Sequence, residues 1–150
     1  MSETVEHDQG IKRAVFAVKP CDVSATWANV VDFFKPIFAT SRTHEPNDVR
    51  DILLTQKAQL WVQWNITEAK IEAAFVTEFI GYPMGVWIRL WLGGAAHDAK
   101  VDYQAVERAL TNFARQNSCR GFEIVGRHGW LRKFPSAVVE GLCLRTTFDE

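Results

Sequence analysis

Three glutamates, Glu72, Glu78 and Glu123, fall within apolar and β-branched stretches. Loss of water around such a carboxylate raises its pKa and fits it to accept a proton. A strand glutamate on a solvated or ion-paired face is the commoner outcome, so a structural reading stands beside the catalytic one for each. His128 lies in the loop run Gly126-Arg127-His128-Gly129-Trp130, where it is either a base or an exposed ring beside an arginine. Arg127, Arg132 and Lys133 surround Trp130 as a small basic patch. That patch is a contact point for a protein partner or an anionic ligand, or else ordinary solvated charge. Trp87, Arg89 and Trp91 alternate along one apolar run. A guanidinium stacked between indoles gains about 0.5–2 kcal/mol, and such a face can hold an adenine or a peptide. Packing under a helix with Arg89 paired to an acid is the preferred alternative, and Trp61-Val62-Gln63-Trp64 poses the same choice.

Several chemistries are excluded by what is missing. There is no Gly-x-Ser-x-Gly elbow, no P-loop and no His-Glu-x-x-His. His7, His44, His97 and His128 show no ligand spacing, so no metal is expected. Cys21, Cys119 and Cys143 are an odd number without a Cys-x-x-Cys pair, which reads as reduced thiols; Cys119 or Cys143 becomes a nucleophile only beside a base. Seventeen Lys and Arg against eighteen Asp and Glu leave a formal charge of -1. That removes the electrostatic drive of a phosphate-backbone binder, so nucleic acid is not an expected partner. No apolar run approaches the ~20 residues of a membrane span, and Met1 to Gly10 is polar. The expected location is therefore the cytoplasm, with no membrane partner.

These residues need a scaffold, and 150 residues with 47% hydrophobic content suit one domain over 1–150, with 1–13 as a flexible lead-in. Ala14 to Val18 reads as a strand. From Val23, the residues Trp27, Val30, Val31, Phe34, Ile37 and Phe38 recur at three and four, a helix that Pro36 should end or kink. Asn47 can cap a second helix carrying Val49, Ile52 and Leu53. Ala58 to Trp64, Lys70 to Ile80 and Val86 to Leu92 read as three strands of an antiparallel meander. In the last of these, Val86, Ile88, Leu90 and Leu92 share one face. A helix over about Val101 to Gln116 and a strand Phe122 to Gly126 complete a right-handed parallel crossover. One helical turn within Arg127 to Pro135 and a last strand Ala137 to Phe148 close the chain. The expected class is α+β, a central mixed and mostly antiparallel sheet with one parallel β-α-β crossover, flanked by helices.

That order and its element lengths resemble the GNAT-type N-acyltransferase fold over nearly the whole chain. Locally, Ala58-Gln59-Leu60-Trp61-Val62, Ile80-Gly81-Tyr82-Pro83, the Leu-Gly-Gly end of Val86 to Gly94, and above all Gly121 to Trp130 look similar to small GNAT-like proteins of tailed bacteriophages and prophages.

The resemblance implies an acetyl-coenzyme A site. Its pyrophosphate would rest on backbone N–H groups at the start of the long helix, and its cleft would be an open splay between the two parallel strands. The corresponding loop here is Gly93-Gly94-Ala95-Ala96-His97-Asp98-Ala99-Lys100. Gly93, Gly94, Ala95 and Ala96 permit close approach and Lys100 adds charge, but the family spacing is absent and Asp98 opposes phosphate. The glycines are equally read as turning the chain out of the strand. The tyrosine that often protonates the departing thiolate in the family has no counterpart in Gly129 to Phe134. The resemblance leaves two functions open. One is a GNAT-like phage protein, degenerate for catalysis, that contacts a structural or assembly protein in virion assembly or as a particle accessory, with a homo-oligomer allowed. The other is an active acyl-coenzyme A N-acetyltransferase on a host protein or small amine, with Glu72, Glu123 or His128 as base. An open splay favours the enzyme, and one plugged by Trp91 or Trp130 favours the interaction protein.

Overall fold

The computed structural model describes residues 2–7, 10–126, 129–141 and 144–148. Among these residues one six-stranded sheet runs in sequence order, β1 (Ser2–His7), β2 (Ile11–Ala17), β3 (Gln59–Asn65), β4 (Lys70–Tyr82), β5 (Gly85–Ala95) and β6 (Phe122–Ile124). The first four pairings are antiparallel, and β5 runs parallel to β6 from Ile88↔Phe122 to Leu90↔Ile124. A parallel pair requires a crossover, which α4 (Tyr103–Gln116) supplies. The meander and the parallel crossover stand where the sequence pattern places them.

On one face lie α1 (Val23–Val30), α2 (Lys35–Thr40) and α3 (Pro46–Leu54). Their Trp27, Val30, Val49 and Leu53, with Phe34 between α1 and α2, bury against Leu60, Val62, Ala74, Val76 and Leu92. Pro36 interrupts the first helical stripe as expected. A 3-10 turn, Val31–Phe34, separates α1 from α2, and Pro36 falls in the first turn of α2, where its missing N–H costs nothing. Pro46 similarly opens α3, so the cap is Glu45 rather than Asn47; Asp48 accepts the Glu45 N–H at 2.8 Å.

On the other face α4 and α5 (Trp130–Lys133) cover Val15, Trp61, Ala73, Phe75 and Leu90. The buried positions of α4, Ala105, Val106, Ala109, Leu110 and Ala114, fall on one face, the helical period that the sequence shows.

Three expectations are corrected. Residues 2–7 are not a loose lead-in but pair with β2 from Ser2↔Phe16 to His7↔Ile11, because β2 offers an open edge one hairpin away. Among the described residues of 137–148 no strand forms, since no neighbouring strand receives them. The single face assigned to Val86, Ile88, Leu90 and Leu92 breaks at a bulge: Thr77 pairs with Leu90 and Val76 with Leu92, leaving Trp91 as the extra residue. A bulge turns the strand, so Leu90 faces α4 while Leu92 faces α1. Among the described residues no helix is long and apolar enough to cross a membrane.

Candidate functional site

The bulge and the short reach of β6 together make a wedge. β6 ends at Ile124 while β5 continues five residues past Leu90 to Ala95, so the two parallel strands part beyond their three paired rungs. Trp130 fills this opening. Its ring lies over Gly93, where a Cβ would stand 3.0 Å from the indole and 3.2 Å from Phe75, and its Nε1 edge occupies the space beside Gly126. Tyr103 and Phe134 meet the same indole edge-on and tilted, at 6.2 and 5.8 Å between ring centres, and Phe122 adds its edge to Phe134 at 5.9 Å. Phe134 is wholly buried. Trp130 thus occupies the splay with Tyr103 and Phe134 packed on it, and burial pushes the Tyr103 hydroxyl pKa upward, so that group stays protonated.

Gly94 serves the opposite face. A Cβ there would overlap the carbonyl of Phe33, so the 3-10 turn Val31–Phe34 presses directly on the strand backbone. Gly93 and Gly94 lie inside β5, each closely approached by a neighbouring group. Ala95 ends the strand and Ala96 donates its N–H to the Glu72 carbonyl at 2.8 Å. Of the expected loop, Ala96, His97, Asp98, Ala99 and Lys100 line a hollow of about 690 Å³ bounded also by Arg13, Lys70 and Tyr103, while Gly93, Gly94 and Ala95 do not.

The floor of that hollow is a buried polar network. Arg13 Nε donates to Glu72 Oε1 at 2.8 Å, with side chains 7% and 6% exposed. Gln63 Nε2 donates to Glu72 at 3.0 Å and to the Lys100 carbonyl at 2.7 Å, while its oxygen accepts the Asp102 N–H at 2.8 Å. Asn65 Nδ2 donates to the other Glu72 oxygen at 3.2 Å. Burial pushes the Glu72 carboxyl up, but the hydrogen bonds from Arg13, Gln63 and Asn65, with the charge of Arg13, outweigh it and hold the group below the usual carboxylate range. A base for amine deprotonation needs the reverse shift. Glu72 is a clamp that fixes β2, β3, β4 and the loop into α4. Sequence reasoning missed Arg13, Gln63 and Asn65; the available signal was polar residues at alternate positions of an otherwise apolar strand.

Glu123 is also engaged. Arg89 Nε donates to it at 3.0 Å and the Tyr82 hydroxyl at 2.9 Å, at the far end of the sheet from the hollow. The Arg89 guanidinium loses stability by burial, but its bonds to Glu123 and Tyr82 raise its pKa overall. Arg89 pairing with an acid is as expected, and stacking between two indoles is not: Trp91 packs toward α1–α3 and meets His44 at 4.9 Å. Trp61 is core, with its Nε1 donating to Thr77 at 2.8 Å. Glu78 is half-buried opposite Arg89. Arg127, His128 and Cys143 lie outside the described residues. Of the basic patch, Arg132 and Lys133 are exposed, and Lys133 Nζ sits 4.8 Å over the Tyr103 ring; Trp130, expected as a partner contact, turns inward because Gly93 leaves the gap that it fills.

Compared by sequence, the chain matches no family model and no curated protein. Compared by structure, it is similar to acetyltransferases. An aminoglycoside acetyltransferase, meta-AAC0020, from an uncultured soil metagenomic sample superposes at a TM-score of 0.68 with 9% identity, covering 91% of this chain and 97% of that one. A predicted acetyltransferase from Clostridium acetobutylicum, solved with acetyl-CoA, gives 0.63 at 12% identity over 89% and 96%. An acetyltransferase of Trypanosoma brucei gives 0.63 at 8% identity over 91% and 99%. The chain has the GNAT-type acetyltransferase fold.

That fold implies acetyl-CoA, and the residues present do not fit it. The wedge holds the Trp130 cluster. At the start of α4 the Asp102 carboxylate accepts the Ala105 N–H at 3.0 Å, placing negative charge where a helix N-terminus would receive a phosphate.

Proposed function

We propose that the chain is a GNAT-fold protein that performs no acyl transfer and acts through protein contacts, as a phage-encoded assembly or accessory protein of the particle working in the host cytoplasm. The observation that carries this reading is the indole of Trp130 seated on Gly93 between the diverging ends of β5 and β6. Differential binding of a transition state needs room for the reacting groups, and here that room is filled by packed side chains. Both described candidate bases support the reading as well, Glu72 locked ionised by three partners and Glu123 shared between Arg89 and Tyr82. No tyrosine occurs in α5 to protonate a thiolate. The phage assignment rests on the resemblance of Gly121 to Trp130 and its companions.

One observation favours the enzymatic alternative, the hollow of about 690 Å³ beside Ala96 and Lys100, which has the volume of a small-molecule site. Calorimetric titration with acetyl-CoA separates the two. The expected result is no saturable heat at millimolar cofactor for the wild-type chain. Saturable binding weakened by Lys100→Glu would overturn the proposal and direct attention to an amine acceptor.

A further inference from the structure

The hairpin of β4 and β5 reaches past the start of β3. Gln59, the first residue of β3, pairs with Thr77, while β4 runs on to Tyr82 against β5. On the β3 side, residues 78–82 therefore have no strand beside them among the described residues, and no other described backbone group bonds to them there. An unpaired row of this kind is a template for another strand, and five residues match the usual strand length.

The two faces of this edge differ in chemistry. Glu78, Ile80 and Tyr82 lie on the face that carries Arg89 and Trp87, since they stand opposite Arg89, Trp87 and Gly85 in register. Glu123 lies on that face too, opposite Arg89 on its other side. Two carboxylates thus flank one guanidinium, and Arg89 Nε donates to Glu123 at 3.0 Å, with the Tyr82 hydroxyl donating to the same carboxylate at 2.9 Å. Glu78 is half-buried and makes no hydrogen bond or ion pair with any described residue. On the opposite face Phe79, 39% exposed, stacks on Phe113 of α4 at 5.6 Å. Gly81 follows on that face with open space where a Cβ would stand, which leaves room beside the Phe79 ring.

We infer that residues 78–82 receive an extended segment of a partner protein, added as a strand in line with β3, with a basic side chain at Glu78 and an apolar one in the space over Gly81 beside Phe79. This rests on the reading of the chain as one that acts through protein contacts, and names the surface and the partner's chemistry. Main-chain bonds to the edge supply affinity, and alternate side chains supply the choice of partner. A strand in line with β3 runs antiparallel to β4, so its residues meet Tyr82, Gly81, Ile80, Phe79 and Glu78 in that order. The second and fourth then fall on the α4 face and the fifth on the Arg89 face. Charge decides the fifth. Arg89 is already engaged by Glu123 and Tyr82, which leaves Glu78 as a carboxylate that a lysine or arginine complements. A second copy of this chain laid antiparallel on the same edge and centred on Ile80 would set Glu78 against Tyr82, which brings no cation to Glu78.

Nuclear magnetic resonance titration of the full chain tests this with two synthetic peptides, acetyl-Thr-Leu-Thr-Val-Arg-amide and the same peptide ending in glutamate. The arginine peptide should shift the amides of residues 78–82 and the Phe79 ring saturably, and slow hydrogen exchange at alternate amides of the edge. Glu78→Gln should weaken it by about two- to five-fold at low salt, the range of an exposed ion pair, with the amide spectrum elsewhere unchanged. Methylating the peptide's backbone nitrogens should abolish binding. The inference is overturned by an absence of shifts at millimolar peptide, by equal binding of the glutamate or N-methylated peptide, or by a dimer that protects the same amides without peptide. Acetyl-CoA is titrated separately. Edge binding alongside saturable cofactor binding removes the proposed function and leaves the edge as a partner surface, while binding of neither ligand removes the edge alone.

Discussion

Replacing Glu72 by glutamine separates a structural carboxylate from a catalytic one. The substitution keeps the shape and removes the charge, leaving the Arg13 guanidinium, 7% exposed, buried without its counter-ion. Removing one partner of a buried pair costs about 3–5 kcal/mol. Glutamine still accepts from Asn65 or Gln63, so the lower end, about 3 kcal/mol, is expected. That is a large part of the roughly 5–15 kcal/mol that holds a domain of this size. In urea unfolding with a slope of about 2 kcal/mol/M the midpoint should fall by about 1.5 M, and the melting temperature by about 6–12 °C. The apolar double replacement Arg13→Met with Glu72→Leu should recover most of the loss, since it leaves no orphaned charge. The pH dependence has a definite sign. The folded carboxyl is held below its ordinary value, so its contribution is complete above the unfolded value of about 4.3 and is lost as pH falls through the lower folded value. The gap between wild type and Glu72→Gln should be constant near neutrality and close at acid pH. An unfolding free energy within about 0.5 kcal/mol of wild type at pH 7 would refute the clamp, and so would a gap that widens on acidification.

Gly94→Ala should destabilise by at least the 1–3 kcal/mol typical of overpacking, because its methyl meets the backbone carbonyl of Phe33 rather than a movable side chain; chemical denaturation measures it, and a neutral result would refute the close approach. Asp102→Ala removes the side-chain cap of α4 and should cost about 0.5–2 kcal/mol, read by thermal melting, with no gain in acetyl-CoA binding while Trp130 remains in place.

The helices and the meander were legible because their signal is local. Trp27, Val30 and Phe34 repeat at helical spacing, and Pro36 and Pro46 punctuate it. The bulge at Trp91 was not, because the apolar alternation continues through Leu92 with nothing in the residue types to mark an extra rung. β1 was hidden for a related reason: Ser-Glu-Thr-Val-Glu-His is polar on an edge, and only the neighbouring β2 decides that it pairs. At the candidate site the composition marked the positions without naming their neighbours. Gly93 and Gly94 are small because rings and a backbone carbonyl press on them, and a sequence of small residues cannot distinguish a neighbouring indole from a phosphate. Trp130 had the same ambiguity, since its direction is set by a gap that exists only once β5 and β6 have diverged.

The network that holds the Glu72 carboxyl below the usual range also sets the charge that an anion would meet in the hollow beside it. Gln63 holds the Lys100 carbonyl and the Asp102 N–H at once, and this fixes Asp102 where its carboxylate caps α4. An incoming phosphate would have to displace a covalently tethered anion already placed at that helix end, and it would gain only the exposed Lys100 and the ion-paired Lys70 in return. Solvated lysines contribute little to such an exchange. Under the proposed reading, stability and cofactor binding compete for the same groups, and the buried carboxylate, the cap and the aromatic wedge serve stability. What stays outside those contacts is surface: the β6 edge, Arg132 and Lys133, and the apolar side chains beyond Ser136.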